Sequence, residues 1–451
     1  MRWVVIGIAA AVLVVVAVVL VVRAAAGSGS SSTVTVVGTS DVYDSGLIQN
    51  VIKPDFEKAY PQYTLDYVPQ GSGAAIDYAE AGSASGLLVH AASLENQFVA
   101  DGYSAEPYGR AVFYGDYVLL GPSSDPARVT VGGKPSHDVV AAFEKIASAG
   151  AAGRANFVSR GGTPGTTVEE HGIWALTTGV GTCVVTADNG GGEMPSTSTG
   201  TCSDTGDPPS WYHSTGLTQG PNIINADVCN YPTASGNNNC YVLTDRGTYQ
   251  YLVDQHELKD MTVVADDNAA TAPGGPTLLV NSFHAYAVNP AKFTGKSGVH
   301  INLAGATALL NWLTSPAGQA AVSGYQQSDP GGPSFIGDAH PALRASRSPS
   351  GTAAGGQVTV RGRLVNIVPG TPALNGVRIT LSGRTAAGSS PTEVTSATTD
   401  ADGRFVLRFN PESGVAYTVS SPSISKIEIG PPKLDPPFGD LLQPTTTDLG
   451  G

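Results

Sequence analysis

Between Thr33 and Ala100 the chain repeats one phrase three times: a short apolar run, a turn of small polar residues, then a stretch with helical spacing. Thr33 to Val37 alternates as a strand and Gly38-Thr39-Ser40 turns. The segment from Ser45 to the Lys53-Pro54 break is helical, with Asp44 or Ser45 as its N-cap. Leu65 to Val68, Gln70-Gly71-Ser72-Gly73 and Ala74 to Ala81 repeat the phrase, as do Gly86 to His90 and Ser93 to Ala100. Tyr114 to Gly121 is a further strand and Val139 to Ala149 a further helix. Such alternation buries its apolar faces by laying helices on a mainly parallel sheet, and ligands of α/β sheets lie at the C-terminal ends of the strands.

Phe157 to Thr167 reads as an anion cradle. An apolar strand runs into Ser159 and Arg160, a glycine pair bends the backbone, and Pro164 opens a segment that continues as helix from Thr166 to Thr177. Unpaired N–H donors at a helix N-terminus, beside one guanidinium on a surface loop, favour an oxyanion. A glycine-rich strand-to-helix turn is the plainer reading of the same residues.

A chain of 451 residues accommodates two or three domains. The formal net charge of −13 argues against nucleic acid as a partner. Trp3 to Val22 is an uncharged run of 20 residues, which at about 1.5 Å each spans the roughly 30 Å of a bilayer core. Residues 1–26 therefore read as a transmembrane anchor or, with Ala24-Ala25-Ala26 as cleavage site, a signal peptide, followed by a flexible linker over 27–33. Arg2 keeps the N-terminus inside, so the rest of the chain lies at the extracellular face of the membrane, or is secreted after cleavage.

The four cysteines, Cys183, Cys202, Cys229 and Cys240, fall in a Gly/Ser/Thr-rich insert over 179–242. An even count outside the cell implies two disulfides. Three connectivities are possible, and Cys183–Cys202 with Cys229–Cys240 closes the shortest loops. The spacings lack the Cys-x-x-Cys pairs of a zinc site.

Seven phrases stand in the order, and at roughly the spacing, of the tungstate-binding family of ABC transporter substrate-binding proteins. They are Gly38-Thr39-Ser40-Asp41 through Leu47, Leu88-Val89-His90-Ala91, Phe98 to Tyr103, Phe157-Val158-Ser159-Arg160-Gly161, Leu243-Thr244-Asp245-Arg246-Gly247-Thr248-Tyr249, Ala287 to Lys292 and Trp312 to Gln319. The chain resembles that family from about Val34 to Phe335. The resemblance implies a type II periplasmic-binding-protein fold over 34–340, with lobe 1 at 34–117 and 281–340 and lobe 2 at 118–280. It also implies capture of tungstate or molybdate for an ABC permease. The ligand-binding residues it carries over are Thr39 and Ser40, Gly71 and Ser72 in the glycine turn, and Ser159, Arg160, Gly165 and Thr166. Gly162, Pro164 and Thr167 depart from the family's Asp, Ser and His, and Gln219-Gly220-Pro221-Asn222 departs from its Gln-Gly-Met-Gly. Molybdate and tungstate need donors only, so the missing Asp does not argue against them. Phosphate binding, and surface adhesion by a repurposed binding fold, are the alternatives.

Residues 341–356 read as a linker by composition, 357–430 as a small β-sandwich of short alternating strands, and 431–451 as a disordered Pro-rich tail. Thr399-Asp400-Ala401-Asp402-Gly403-Arg404-Phe405 resembles the carboxypeptidase-regulatory-like, transthyretin-related sandwich, and its Asp-x-Asp-Gly reads as a turn rather than a calcium loop. No catalytic constellation, cofactor motif or metal site emerges. Glu169-Glu170-His171 lacks a second histidine, no phosphate loop or nucleophile elbow occurs, His90 reads as a structural histidine, and Asp41 and Asp44 read as helix caps.

Overall fold

The computed structural model describes residues 32–162, 164–185, 192–195, 208–233, 239–328, 332–348, 356–371, 373–385, 389–427 and 440–449. The apolar run at Trp3 to Val22 and Cys202 lie outside them. Among the described residues no helix is long and apolar enough to cross a membrane.

The three repeated phrases form three parallel strands, β1 (Thr33–Thr39) between β2 (Thr64–Gln70) and β3 (Gly86–Val89). Each runs into helix: β1 into α1 (Ser40–Asp44), β2 into α3 (Ser72–Glu80) and β3 into α4 (Ala92–Ala100). The break expected at Lys53-Pro54 does not occur. A π-helical turn, Ile48–Ile52, feeds α2 (Lys53–Ala59), and Pro54 sits in the first turn, where a missing N–H is harmless.

Strand β4 (Gly109–Pro122) joins two sheets. Its first half, Arg110 to Asp116, pairs with β11 (Val280–Ala287), which also pairs with β3. From Tyr117 onward its partners are β9 (Cys240–Asp245) and β10 (Met261–Ala265). The second sheet continues through β5 (Asn156–Ser159) to β8 (Tyr212–Ser214). Helices α5 (Val139–Ala151), α6 (Gly165–Leu176), α7 (Gln219–Val228) and α8 (Arg246–Asp254) belong to this lobe, and α9 (Leu303–Leu313) and α10 (Pro316–Gly324) return to the first. The fold is thus α/β in two lobes, hinged on β4 and β11.

The insert reading of 179–242 is corrected in part. Strands β6 (Thr182–Val185) and β7 (Gly192–Pro195) form a separate hairpin, but Trp211 and Tyr212 are buried in the second core and β8 extends its sheet. Cys229, at the left-handed C-cap of α7, is joined to Cys240 at the start of β9 with Cα atoms 5.6 Å apart.

The second core is an aromatic cluster. Phe143 and Trp174 lie 4.5 Å apart and Phe157 and Trp174 5.3 Å apart, with Trp211 and Tyr212 beside them. Phe157 sits on β5 and Trp174 on α6, so the cluster fixes both flanks of the Ser159-to-Gly165 loop. The first core is aliphatic and aromatic, with Val36, Leu65, Leu88, Phe113, Phe283 and Leu309 buried together.

The C-terminal part is all β. One antiparallel sheet runs β12 (Ala342–Ser348), β13 (Val358–Val365), β16 (Arg404–Phe409); the other runs β15 (Thr392–Thr398), β14 (Arg378–Arg384), β17 (Ala416–Ser421), β20 (Thr445–Asp448). Val360, Leu364, Ile379, Leu381, Leu407 and Val419 share one apolar core. Two expectations are corrected here. The linker at 341–356 begins as β12, which buries Leu343 and pairs with β13 throughout. The tail contains β19 (Asp440–Leu442) and β20, because Leu442 completes the sandwich core and the threonines of 445–447 suit an edge strand. Strand β19 pairs with β18 (Ile424–Ile427) and lies parallel to β4 at Gly109 and Arg110.

Trp174→Ala is expected to lower stability by about 3–5 kcal/mol in urea unfolding, the range for truncating a fully buried aromatic.

Candidate functional site

The loop after β5 is shaped by glycine. Gly161 and Gly162 hold φ of +68° and +66°, a left-handed conformation that a side chain disfavours. The bend sets Pro164 as the N-cap of α6, with no side chain capping the helix. In the first lobe α3 starts after Gly71, also without a side-chain cap. These two N-termini meet: a Cβ on Gly71 would lie 3.2 Å from Pro164 N and 3.3 Å from its Cα. A Cβ on Gly165 would overlap the His90 ring. Unpaired N–H groups and positive dipole ends from both lobes therefore converge on one cleft.

Arg160 spans it. Its Nε donates to Leu217 O at 3.2 Å, Nη1 to Gln219 Oε1 at 3.0 Å and Nη2 to Ser40 Oγ of the other lobe at 3.1 Å. The expected surface-loop position is corrected: Arg160 is 5% exposed, because both lobes close over it. Burial lowers its pKa from the ordinary value, and the carboxylates of Asp41, Asp44 and Asp245 oppose that shift. Thr166 Oγ1 donates to the same Gln219 Oε1 at 3.1 Å, and Gln219 Nε2 donates to Thr244 Oγ1 at 2.5 Å.

Thr39 Oγ1 and Ser72 Oγ are buried without a hydrogen-bond partner, Thr39 lying beside Asp41 but not aligned with it. An unsatisfied buried hydroxyl costs about 1–3 kcal/mol, a cost that an entering acceptor relieves. Ser159 is placed differently. Its Oγ accepts from Gly161 N at 3.2 Å and sits beside the buried Glu170–Tyr212 pair, so it braces the loop from within the lobe.

Asp41 and Asp44 do not cap their own helix as expected. Asp41 Oδ1 accepts from Val42 N at 3.0 Å and Oδ2 lies 3.0 Å from His90 Nε2, out of hydrogen-bond alignment; His90 Nδ1 in turn is 2.8 Å from Tyr117 OH. Burial disfavours the Asp41 carboxylate, but His90 first, with Thr39 and Arg160, together outweigh it and hold the group at about 2. Asp44 Oδ2 accepts from Gly220 N at 2.9 Å, so it caps α7 of the opposite lobe. Asp245 Oδ2 caps α8 by accepting from Thr248 N at 2.7 Å, and burial, then Asp41, pushes its pKa to about 7.

Gln219, Thr244 and the cross-lobe role of Asp44 were not legible as site features. The Gln219-Gly220 step was visible only as a departure in a segment assigned to the insert. Away from the cleft, His137, Asp266 and Asp267 bring three possible metal-ligating atoms within 4.8 Å on the lobe surface, where Asp266 also lies 3.5 Å from Arg246. A cavity of about 360 Å³ lies behind the hinge, between the lobes and the sandwich, walled by Asp116, Arg246, Asn268, Ile336 and Pro369. Arg246 is held there by Asp116 at 2.9 Å, and none of the converging donors lines it.

Gly165→Ala is expected to push α6 off His90 and open the cleft, read as a larger radius of gyration in X-ray scattering; an unchanged profile would place the lobe contact elsewhere. Asp245 carries a folded pKa of about 7 against an ordinary 3.8, so it is neutral in both states below the lower value. Between the two, only the unfolded state is ionised and stability falls as pH rises. Asp245→Asn, which keeps the capping oxygen, is expected to flatten that part of the pH–stability curve.

A family model described as a PBP superfamily domain matches residues 24–317. The chain is 33% identical over 292 residues to a candidate ABC transporter anion-binding protein of Haloferax volcanii, covering 65% of this chain and 68% of that one. It is 29% identical over 302 residues to the tungstate-binding protein TupA of Peptoclostridium acidaminophilum, covering 67% and 84%. The crystal structure of the tungstate ABC transporter from Geobacter sulfurreducens aligns with a TM-score of 0.46 at 27% identity, over 66% of this chain and 100% of that one.

Proposed function

We propose, because the chain belongs to the PBP superfamily domain family, that it is an extracellular solute-binding protein that captures a tetrahedral oxyanion, tungstate or molybdate, for an ABC permease. The observation that carries this reading is the pair of buried, unpartnered hydroxyls, Thr39 and Ser72, beside two uncapped helix N-termini and a buried Arg160. All of these groups can donate, and a small multivalent anion answers all of them together. The tungstate-binding relative supports the ligand class.

The apolar run at Trp3 to Val22 would hold the protein at the outer face of the membrane, within reach of the permease. Arg160–Ser40, Asp44–Gly220 and Thr248 Oγ1 to Asp41 O at 3.3 Å join the lobes. Capture then follows as closure about the hinge of β4 and β11. Ligand at about 100 times its Kd should stabilise the protein by about 2.7 kcal/mol in a thermal melt. Tungstate and molybdate are expected to raise the Tm, and Arg160→Ala to weaken binding about 10- to 100-fold through loss of a charge-assisted donor. A melt that neither oxyanion shifts would overturn the reading.

A further inference from the structure

We propose that the outer face of the β12–β13–β16 sheet docks on anionic lipid headgroups, laying the C-terminal sandwich against the membrane that holds the chain. The inference rests on reading Trp3 to Val22 as a membrane anchor, and it adds a second contact with the same bilayer.

Successive side chains of a strand point to opposite faces. Leu343, Val360, Leu364, Phe405 and Leu407 are buried in the sandwich core, so Arg344, Arg361, Arg363, Arg404 and Arg408 fall on the outer face, and all five are exposed. The register sets Arg344 opposite Arg363 and Arg363 opposite Arg404, one row of arginines across three strands. The next outward row is Ser346, Arg361 and Val406, and the third is Ser348, Thr359 and Arg408.

Like charges directly opposite one another on adjacent strands weaken a sheet. Among the described residues the carboxylate paired with this face is that of Asp402, through Arg404, while the Asp402 backbone oxygen accepts from Arg363 Nε at 2.8 Å. Arg344, Arg361 and Arg408 have no carboxylate partner among the described residues. The other sheet is balanced differently, with Arg378 matched by Glu393 at 2.7 Å. Residues 341–427 hold eight arginines and one lysine against four carboxylates, in a chain of net charge −13. Screening confines the reach of a charge to about 8–10 Å, so an approaching surface meets this local excess of cations rather than the acidic total. Val406, 46% exposed among these arginines, adds an apolar centre of the kind that strengthens binding at a headgroup interface.

Chain direction brings the sandwich to the tethered end of the first lobe. Strand β1 is parallel to β3, and β11 is antiparallel to both β3 and β4, so β4 starts at the sheet end where β1 starts. At that start, Gly109 and Arg110, β19 joins the sandwich to the lobe, and Ala111 enters the sandwich core. Residues 23–32, between the apolar run and β1, span at most about 35 Å when fully extended. The bilayer is therefore held close to the sheet end that carries the sandwich, and a surface kept this near needs no capture from solution.

The test reconstitutes the full chain in vesicles of phosphatidylcholine, alone or mixed with phosphatidylglycerol, each with a trace of nitroxide-headgroup lipid. A fluorophore on Ser348→Cys reports approach of the face, with the unsubstituted chain labelled in parallel as background. Quenching is expected to be stronger with phosphatidylglycerol and to vanish at about 1 M salt, where screening shortens to about 3 Å. An arginine near an anionic bilayer multiplies the docked-to-free ratio about fivefold. Arg344→Gln, Arg361→Gln and Arg408→Gln together leave the Asp402 contacts intact and should lower that ratio roughly 100-fold. Equal quenching in both lipids, or quenching that survives the triple substitution, would overturn the inference. Quenching that appears only when many copies share a vesicle would assign the face to a second copy and overturn it too. A full chain that fails to float with either kind of vesicle would overturn the membrane anchor, and the inference with it.

Discussion

Burying the guanidinium of Arg160 constrains more of this structure than any other interaction. A cation withdrawn from water is tolerated only if its hydrogens find acceptors and its charge finds compensation. Leu217 O, Gln219 Oε1 and Ser40 Oγ supply the acceptors, from two lobes and two segments. Asp41, Asp44 and Asp245 supply the compensating field. The loop before α7, the first turn of α1 and the end of β9 are therefore placed with respect to one side chain. Closing the cleft and solvating the charge are alternatives, and the described structure takes the first.

The compensating carboxylates are not passive. Asp41 remains charged because His90 stands against it, whereas Asp245, three residues before its own capping partner Thr248, is pushed towards neutrality. Two aspartates of similar burial thus titrate far apart, Asp41 fully charged near neutral pH and Asp245 only about half so. Asp41 has the His90 ring at 3.0 Å, whereas Asp245 is raised by burial and then by Asp41 itself; His90, which the resemblance alone would leave as a strand end, also forces residue 165 to lack a Cβ.

The α/β class was legible because strand, small turn and helix alternate at the right lengths over Thr33 to Ala100, and the cleft's donors were legible because turn chemistry is local. Residues whose role depends on the opposite lobe were not. Asp44 satisfies a helix-capping rule, yet the helix belongs to α7, a partner 176 positions away in the chain. Gln219 carries no local signal at all, since its three partners are gathered by the fold from the loop after β5, from α6 and from β9. Composition misled at the ends. The serines, glycines and prolines around 341–356 and 431–451 hid the strand residues Leu343 and Leu442, which an apolar core needed.

The placement of β19 along β4 bears on how the polypeptide is completed. The first half of β4 has β11 on one side, and its other edge at Gly109 and Arg110 is met by Asp440 and Leu441. Gln443 N then donates to Ala339 O at 2.7 Å, and His340 joins Pro444 O to Thr314 O. During synthesis β4 is made long before these residues leave the ribosome. Until they do, the hinge strand carries an open edge of unpaired backbone groups, the kind that templates association between chains. Strand β19, made long after β4, is therefore the one that covers the start of the hinge strand, and a nascent chain stopped short of it is exposed at the centre of its binding fold rather than at its periphery.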